Sequence, residues 1–291
     1  MLEMMKTKKG FIAALDQSGG SSSKTLAKYG ISEEEYHSEE EMFDLIHEMR
    51  KRVFTSKAFT NEHIIGAILF ERTMLSKVNE EYTADYLWNN KKILSFLKVD
   101  KGLAEEVNGV KLMKDIPDLE ETLSEAKNKN IFGTKMRSVI YEANEEGIKD
   151  IVNQQFEFAK TICEAGLVPI IEPEVDIHAP EKKTCEAILK EEIIKQLENW
   201  DNSDKIMFKF TIPTIANHYA DLYNYDSVVR IVALSGGYGI DEAVELLAQN
   251  NNMIASFSRA LLEDLNVNQS QEEFDNKLSE AITKIYNASI T

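Results

Sequence analysis

A lysine stands in the middle of an apolar segment that has the length of a buried strand. The segment runs from Met207 to Thr211, and Lys209 lies between two phenylalanines. Side chains alternate between the two faces of a strand, so Lys209 is predicted to share a face with Met207 and Thr211. An ammonium group withdrawn from water needs an acidic partner, or its pKa falls. A strand end in solvent or a structural ion pair would explain one such lysine equally well.

Charged residues also end four other apolar runs of the chain. They are Asp16 after Leu15, Lys98, Asp100 and Lys101 around Val99, Lys135 and Arg137 after Gly133, and Glu172 after Ile171. One such ending is explained by a surface position, but repetition in five runs favours a functional set. The carboxyl ends of the strands of a parallel barrel meet at one face, and active sites lie at that face. The pattern therefore predicts a catalytic set assembled from several strand ends.

Small and cationic residues near the end of the chain predict an anion site. Ser235-Gly236-Gly237 follows the seventh apolar run, and a glycine pair lets backbone N–H groups approach an anion closely. Arg259 follows the eighth run with a guanidinium suited to phosphate. Each signal alone is equally typical of a turn or a surface arginine. In this order they predict a phosphorylated substrate, because phosphate sites after strands 7 and 8 are frequent in barrels.

A second phosphate is expected across the mouth of the same barrel. Lys98, Lys101 and Arg137 offer cations there, and Gln17-Ser18-Gly19-Gly20-Ser21 offers hydroxyl and N–H donors, among which Ser18 is the candidate ligand. A flexible loop before a helix would explain the last segment equally well.

An alternation of short apolar runs and longer helical segments must position these residues. The runs are Gly10–Asp16, Ile64–Phe70, Ile93–Val99, Ile131–Arg137, Leu167–Glu172, Ile206–Ile212, Val228–Leu234 and Met253–Ser258. Their content of Ile, Val, Phe and Leu suits strands that are buried on both faces. Eight strand–helix alternations predict an α/β fold, a (β/α)8 barrel, with a doubly wound open sheet as the alternative. No linker divides the chain, so residues 1–291 are expected to form one domain with a C-terminal helical tail.

Helix signals fill the intervening segments. Ser38 and Glu41 have the spacing of a capping box, which predicts a helix that begins after Ser38. A second helix is predicted over 147–165 and closed by Gly166, which suits the left-handed conformation at a helix end. Further helices are predicted over 186–197 and 241–247.

Composition and charge exclude several classes of protein. The chain has 291 residues and a net charge of −17, so it would repel a nucleic acid. Apolar runs of the length needed to cross a bilayer do not occur, and the short apolar stretch near the start does not resemble a signal peptide. Cys163 and Cys185 form no CxxC pair or metal spacing. These features predict a cytoplasmic protein with reduced thiols that binds neither membranes nor nucleic acids.

The chain resembles class I fructose-1,6-bisphosphate aldolase, in its short bacterial form. The resemblance spans nearly the whole chain in family order. The matching segments are Gly10–Gly20 (GFIAALDQSGG), Leu97–Gly102 (LKVDKG), Gly133–Arg137 (GTKMR), Val168–Glu174 (VPIIEPE), Phe208–Pro213 (FKFTIP), Leu234–Gly237 (LSGG) and Ser256–Leu261 (SFSRAL).

The resemblance implies a role for each candidate residue. Lys209 corresponds to the lysine that forms a Schiff base with the substrate, Glu172 to the acid/base carboxylate, and Lys135 to a second active-site lysine. Asp16 corresponds to the aspartate that handles the hydroxyl whose deprotonation starts carbon–carbon cleavage. The implied phosphate ligands are Lys98, Arg137, Ser235, Gly236, Gly237, Arg259 and Ser18. The resemblance implies an enzyme that uses neither a cofactor nor a metal ion and acts on a phosphorylated sugar.

Two features depart from the animal form of the family. Gln17 stands where the animal form has a glutamate, and the tail lacks the mobile terminal tyrosine that helps to protonate the enamine. Tyr286 lies in an apparent helix, so that role is not assigned to it and helix packing is the expectation. Oligomeric state is left open between a monomer and a homo-oligomer.

Four other functions are weighed against the aldolase. A transaldolase-like enzyme on phosphorylated sugars would share a reactive Lys209. A metal-dependent aldolase would need histidines at ligand spacing, and the five histidines show none. A nicotinamide-dependent oxidoreductase would need a GxGxxG segment after the first strand, which is absent. A purely structural protein would gain nothing from charges directed into the barrel.

Overall fold

Eight parallel strands form the centre of the computed structural model, which describes residues 1–291 except for the surroundings of Gly20. The barrel strands are β1 (Phe11–Leu15), β2 (Ile64–Leu69), β3 (Leu94–Lys98), β4 (Gly133–Ile140), β5 (Val168–Val175), β6 (Ile206–Thr211), β7 (Val228–Leu234) and β8 (Met253–Ala255). Each strand pairs in parallel with the next one along the chain, from β1 to β8. This order confirms the predicted single-domain (β/α)8 barrel and excludes the open doubly wound sheet.

The barrel has a seam between its last and first strands. Among the described residues no strand ladder joins β8 to β1. The Ala14 N–H instead donates a hydrogen bond to the Phe257 carbonyl, with a nitrogen–oxygen distance of 3.2 Å, just beyond the end of β8. Strand β8 ends at Ala255, three residues before the end of the predicted run over 253–258.

Strands β4 and β5 extend further than their apolar runs predict. They pair in continuous register from Gly133 opposite Val168 to Ile140 opposite Val175, three residues beyond the predicted ends. The short strand Val110–Lys111 adds an antiparallel partner to the last residues of β4. The extension of β5 places Glu174 at the mouth of the barrel.

Helices surround the barrel on its outer face. They are α1 (Leu2–Thr7), α2 (Gly20–Tyr29), α3 (Glu39–Thr55), α4 (Glu71–Leu75), α5 (Thr83–Lys91), α6 (Leu119–Asn128), α7 (Glu145–Glu164), α8 (Lys182–Leu197), α9 (Ile240–Leu247), α10 (Arg259–Leu262) and α11 (Gln271–Ala288). Two 3-10 helices cover Glu33–Glu35 and Ala220–Asn224, and a small hairpin pairs Lys77–Val78 with Glu81–Tyr82. None of the described helices is long and apolar enough to cross a membrane.

Three predicted helices are confirmed with shifted ends. The helices predicted over 147–165, 186–197 and 241–247 begin earlier, at Glu145, Lys182 and Ile240. The start of α7 is set by the side-chain oxygen of Asn144, which accepts the Gly147 N–H and leaves no mark in apolar periodicity.

The capping box predicted at Ser38 forms only in half. The Ser38 hydroxyl accepts the Glu41 N–H as predicted, and α3 begins at Glu39. The Glu41 carboxylate, however, accepts the N–H of His37 and not that of Ser38. The start of the helix was therefore predicted correctly, while the reciprocal bond was wrong by one residue.

Apolar side chains form two layers. One fills the inside of the barrel, and the other lies between the barrel strands and the surrounding helices. The interior layer at the amino ends of the strands includes Ile12, Phe96 and Met207, and Met5 of α1 closes it from below. Gly133 permits the closest approach in this layer, because a Cβ there would lie 2.1 Å from the Val168 carbonyl oxygen. This dry floor supports the charged layer above it, at the carboxyl ends of the strands.

Candidate active site

One cavity of about 700 Å³ opens at the carboxyl ends of the barrel strands. Eleven candidate site residues predicted from the sequence line it: Asp16, Ser18, Lys98, Lys135, Arg137, Glu172, Lys209, Ser235, Gly236, Gly237 and Arg259. Lys101 does not line the cavity, because its ammonium pairs with Asp118 at 3.0 Å and Glu71 at 3.7 Å on the outer side. The prediction that Lys101 belongs to the mouth is therefore wrong. Gly20, the first residue of α2, is the one residue whose surroundings the structure does not describe.

Lys209 lies at the bottom of the cavity and is 4% exposed. As predicted, it faces the interior with Met207, while its two phenylalanine neighbours pack against the outer helices. Its Nζ lies 3.0 Å from Oε1 of Glu172. The buried amine thus has an acidic partner, which the cost of burying a lone charge requires.

Glu172 joins the two buried lysines. Its second oxygen, Oε2, lies 3.1 Å from Nζ of Lys135, and Glu172 and Lys135 are each 3% exposed. The two lysines therefore contact opposite oxygens of one carboxylate. A proton can pass between Lys209 and Glu172 without leaving the buried part of the site.

Lys135 is surrounded by carboxylates. Its Nζ lies 2.8 Å from Oδ2 of Asp16 and 3.9 Å from Oδ2 of Asp100, in addition to its contact with Glu172. Burial alone would lower the pKa of Lys135, but Asp16, Glu172 and Asp100 raise it well above the usual value. Lys135 is therefore a permanent cation at the centre of the site.

Asp16 stays ionised because the neighbouring lysines stabilise its negative charge. Burial raises the pKa of its carboxyl group, but Lys135, Lys209 and Lys98 more than offset this and hold the pKa well below the usual value. Because Asp16 follows β1 directly, its carboxylate points across the mouth of the barrel toward β4. An ionised carboxylate there can accept a proton from a substrate hydroxyl.

The predicted anion ligand after β7 has the required backbone. Gly236 and Gly237 have φ values of +63° and +121°, in the region that glycine favours. A Cβ on Gly236 would also lie 2.7 Å from Cγ2 of Ile177. Glycine is therefore needed at this turn, which leads into α9.

The cations above the floor differ in their partners. Arg137 pairs with Glu174 at 2.6 Å, and Lys98 pairs with Asp100 at 2.8 Å. Arg259 is exposed at the cavity, and among the described residues no carboxylate lies within ion-pair distance of it. Of Arg137, Lys98 and Arg259, Arg259 is thus the most available for an incoming anion.

Sequence reasoning gave no individual role to two residues that the structure brings to the site. Asp100 and Glu174 line the cavity and pair with its cations. Glu174 lies two residues from Glu172 in β5, so strand alternation could have found it. Asp100 was recognised as a charged strand ending, but the sequence gives no sign that it turns inward to 6% exposure.

Among the described residues, no group of three or more His, Cys, Asp or Glu side chains is placed to hold a metal ion. Lys98, Lys135, Arg137 and Lys209 each contact at least one carboxylate of the cavity. The lysines and carboxylates form a buried cluster below a rim of cations and glycines, at the face of a (β/α)8 barrel where enzymes of this fold carry their active sites.

Comparison with known proteins names the family. The family model of class I fructose-bisphosphate aldolase, described as glycolytic, matches residues 2–213. A curated relative from Clostridium acetobutylicum, named fructose-bisphosphate aldolase class 1, is 59% identical over 283 residues, which is 97% of this chain and 96% of the relative. The chain belongs to the class I fructose-bisphosphate aldolase family.

A solved structure supports the fold. Fructose-bisphosphate aldolase from Plasmodium falciparum, crystallised with TRAP and a small-molecule inhibitor, superimposes with a TM-score of 0.79. The match covers 99% of this chain and 92% of the other chain at 20% sequence identity. This match shows that the two proteins share the barrel fold.

Proposed function

We propose that the chain reversibly cleaves fructose 1,6-bisphosphate into dihydroxyacetone phosphate and glyceraldehyde 3-phosphate through a Schiff base on Lys209. The observation that carries this proposal is the contact of Lys209 with Glu172 at 3.0 Å on the buried floor of the cavity. Membership of the family supports the same activity.

Imine formation uses the pair at the floor. Glu172 takes a proton from the Lys209 ammonium, and the free amine attacks the C2 carbonyl carbon of the sugar. The resulting carbinolamine loses water after Glu172 returns a proton to its hydroxyl group. The product is an iminium ion on Lys209, and none of these reaction steps uses a cofactor.

Cleavage of the carbon–carbon bond uses Asp16. This carboxylate accepts the proton of the C4 hydroxyl, the C3–C4 bond breaks, and its electron pair moves into the iminium to give an enamine. The Lys135 cation, 2.8 Å from Asp16, stabilises negative charge that develops on the C4 oxygen. Glyceraldehyde 3-phosphate leaves as the aldehyde, and protonation and hydrolysis of the enamine release dihydroxyacetone phosphate and regenerate Lys209.

Two groups of ligands hold the phosphates on opposite sides of the cavity. Ser235, the Gly236 and Gly237 backbone and Arg259 bind one phosphate, and Lys98, Arg137 and Ser18 bind the other. Fixed cations at both ends orient the sugar over Lys209 and remove part of the entropic barrier. The cavity of about 700 Å³ has room for a bisphosphate of this size.

We also place the reaction in glycolysis and gluconeogenesis, in the cytoplasm. The glycolytic description of the family model supports the first statement. The free thiols of Cys163 and Cys185 suit a reducing compartment.

An assay of the purified chain tests the function. Fructose 1,6-bisphosphate should be converted to the two triose phosphates, and the activity should persist in EDTA because the lysine supplies the electron sink. Product analysis separates this outcome from transfer of a three-carbon unit to another sugar. Activity that disappears with the chelator and returns with zinc would refute the Schiff-base mechanism.

A further inference from the structure

A buried arginine on α3 reaches the turn that carries Asp16. Arg50 is 1% exposed, and its NH2 group donates to the Gln17 carbonyl at 2.6 Å and to the Gln17 side-chain oxygen at 3.1 Å. Its NH1 group donates to the Thr73 hydroxyl at 2.7 Å. One guanidinium therefore joins the loop after β1 to helix α4, which follows β2.

The charge of Arg50 has no carboxylate in direct contact. Among the described residues, no Asp or Glu oxygen lies within 4.0 Å of its guanidinium, and its Nε has no hydrogen-bond partner. Burial lowers the pKa of Arg50 to about 10, an effect that the nearby Asp16 charge partly offsets. A buried cation that bonds only to neutral groups is expensive to keep for packing alone.

Gln17 extends the connection across the seam of the barrel. Its amide nitrogen donates to the Ser258 hydroxyl and, at 3.4 Å, to the Ala14 carbonyl. Ser258 precedes the candidate phosphate ligand Arg259. Since no ladder joins β8 to β1 in the described part of the sheet, Arg50 and Gln17 supply a side-chain link at the place where the backbone provides little.

We propose that Arg50 is a positioning residue for carbon–carbon cleavage, which acts through Gln17 to fix the Asp16 carboxylate beside Lys135. The inference rests on the proposed function, because Asp16 is the base in that mechanism. Arg50 does not reach Lys209 or Glu172, which contact each other on the far side of Lys135. Arg50 therefore affects the cleavage step and leaves imine formation intact.

Trapping with borohydride separates these two steps. Reduction of enzyme incubated with fructose 1,6-bisphosphate fixes a six-carbon adduct before cleavage and a three-carbon adduct after it. In Arg50→Met the cleavage rate should fall about 100-fold, the loss expected from a misplaced catalytic group. The six-carbon adduct should then dominate, while dihydroxyacetone phosphate alone should still be trapped to the extent seen with the unmodified chain.

Arg52→Met is the matched control on the same helix. Arg52 donates to the Tyr29 hydroxyl and to the Gln269 carbonyl, and it stacks on the Phe274 ring, away from the loop of Asp16. Its loss should lower thermal stability but leave the ratio of the two adducts unchanged. A shift of that ratio in Arg52→Met as large as in Arg50→Met would overturn the proposal.

Arg50→Lys provides the conservative variant and a second test should Arg50→Met not fold. It keeps the charge but loses the planar fork, so its cleavage rate should lie between those of the unmodified chain and Arg50→Met. An unchanged ratio of adducts in folded Arg50→Met, or in folded Arg50→Lys if that variant alone folds, would also overturn the proposal. If the unmodified chain gives no adduct with either sugar, the proposed function fails and not the role of Arg50.

Discussion

Replacement of Lys209 by methionine is expected to abolish cleavage of fructose 1,6-bisphosphate. Methionine has nearly the length of lysine but no amine, so no imine can form and no electron sink exists for the breaking bond. Removal of a covalent nucleophile typically costs about 10⁴-fold or more in kcat. The rate should be measured with the coupled formation of both triose phosphates.

The fold should survive this change. Lys209 lies among apolar interior residues that tolerate methionine, and Glu172 keeps Lys135 as its cationic partner at 3.1 Å. Lys101→Met is the control, because this lysine lies near the same rim but pairs with Asp118 outside the cavity. Near-normal kcat in folded Lys209→Met would disprove the assignment of the nucleophile.

Replacement of Lys135 by methionine is expected to damage both activity and stability. Asp16, Glu172 and Asp100 all lose their shared cation, and only Glu172 and Asp100 keep another cation in contact, Lys209 and Lys98 respectively. Removing one partner of a buried ion pair typically costs about 3–5 kcal/mol, because the remaining charge is uncompensated. Turnover should fall by about 100-fold or more, since a preorganised charge that stabilises the transition state is lost.

The pH dependence of stability should become weaker in this variant. In the unmodified chain the pKa of Asp16 is depressed, so its contribution is present above the unfolded pKa of about 4 and is lost as the pH falls further. In Lys135→Met one of the cations that lower this pKa is lost while Lys209 and Lys98 remain, so burial is less fully offset and the pKa of Asp16 rises. The contribution of Asp16 to stability is then smaller, and the variant should lose less stability than the unmodified chain as the pH falls below about 4.

Urea unfolding at several pH values measures this effect. Lys284→Met is the control, because Lys284 forms only an exposed ion pair with Asp241 at 2.9 Å and its loss should change stability by less than about 1 kcal/mol. A pH profile for Lys135→Met as steep as that of the unmodified chain, with stability close to that of the unmodified chain, would contradict the described charge network.

The barrel was predictable because its strands are apolar on both faces. Lys209 was found for the same reason: a charged residue between phenylalanines in a buried strand is conspicuous. Local pattern also predicted the inward direction of Lys209, since it depends only on alternation along one strand. The predicted phosphate ligands reach the cavity, and their role as ligands stays a prediction.

Contacts between distant segments were not predictable from local pattern. Lys101 and Asp100 are neighbours in the sequence, yet Lys101 pairs outside the cavity and Asp100 turns into it. The role of Arg50 depends on a loop 33 residues earlier in the chain. A signal did exist for Arg50, because it shares the buried stripe of α3 with Ile46 and Val53, where a charge is unexpected.

Peptide mapping of the trapped enzyme tests the central claim most directly. The unmodified chain should be incubated with dihydroxyacetone phosphate, reduced with borohydride, digested and analysed by mass spectrometry. We predict one three-carbon phosphate adduct per chain, on the peptide that contains Lys209. An adduct on Lys135 or another lysine, or no adduct in an enzyme that still cleaves the sugar, would contradict the account.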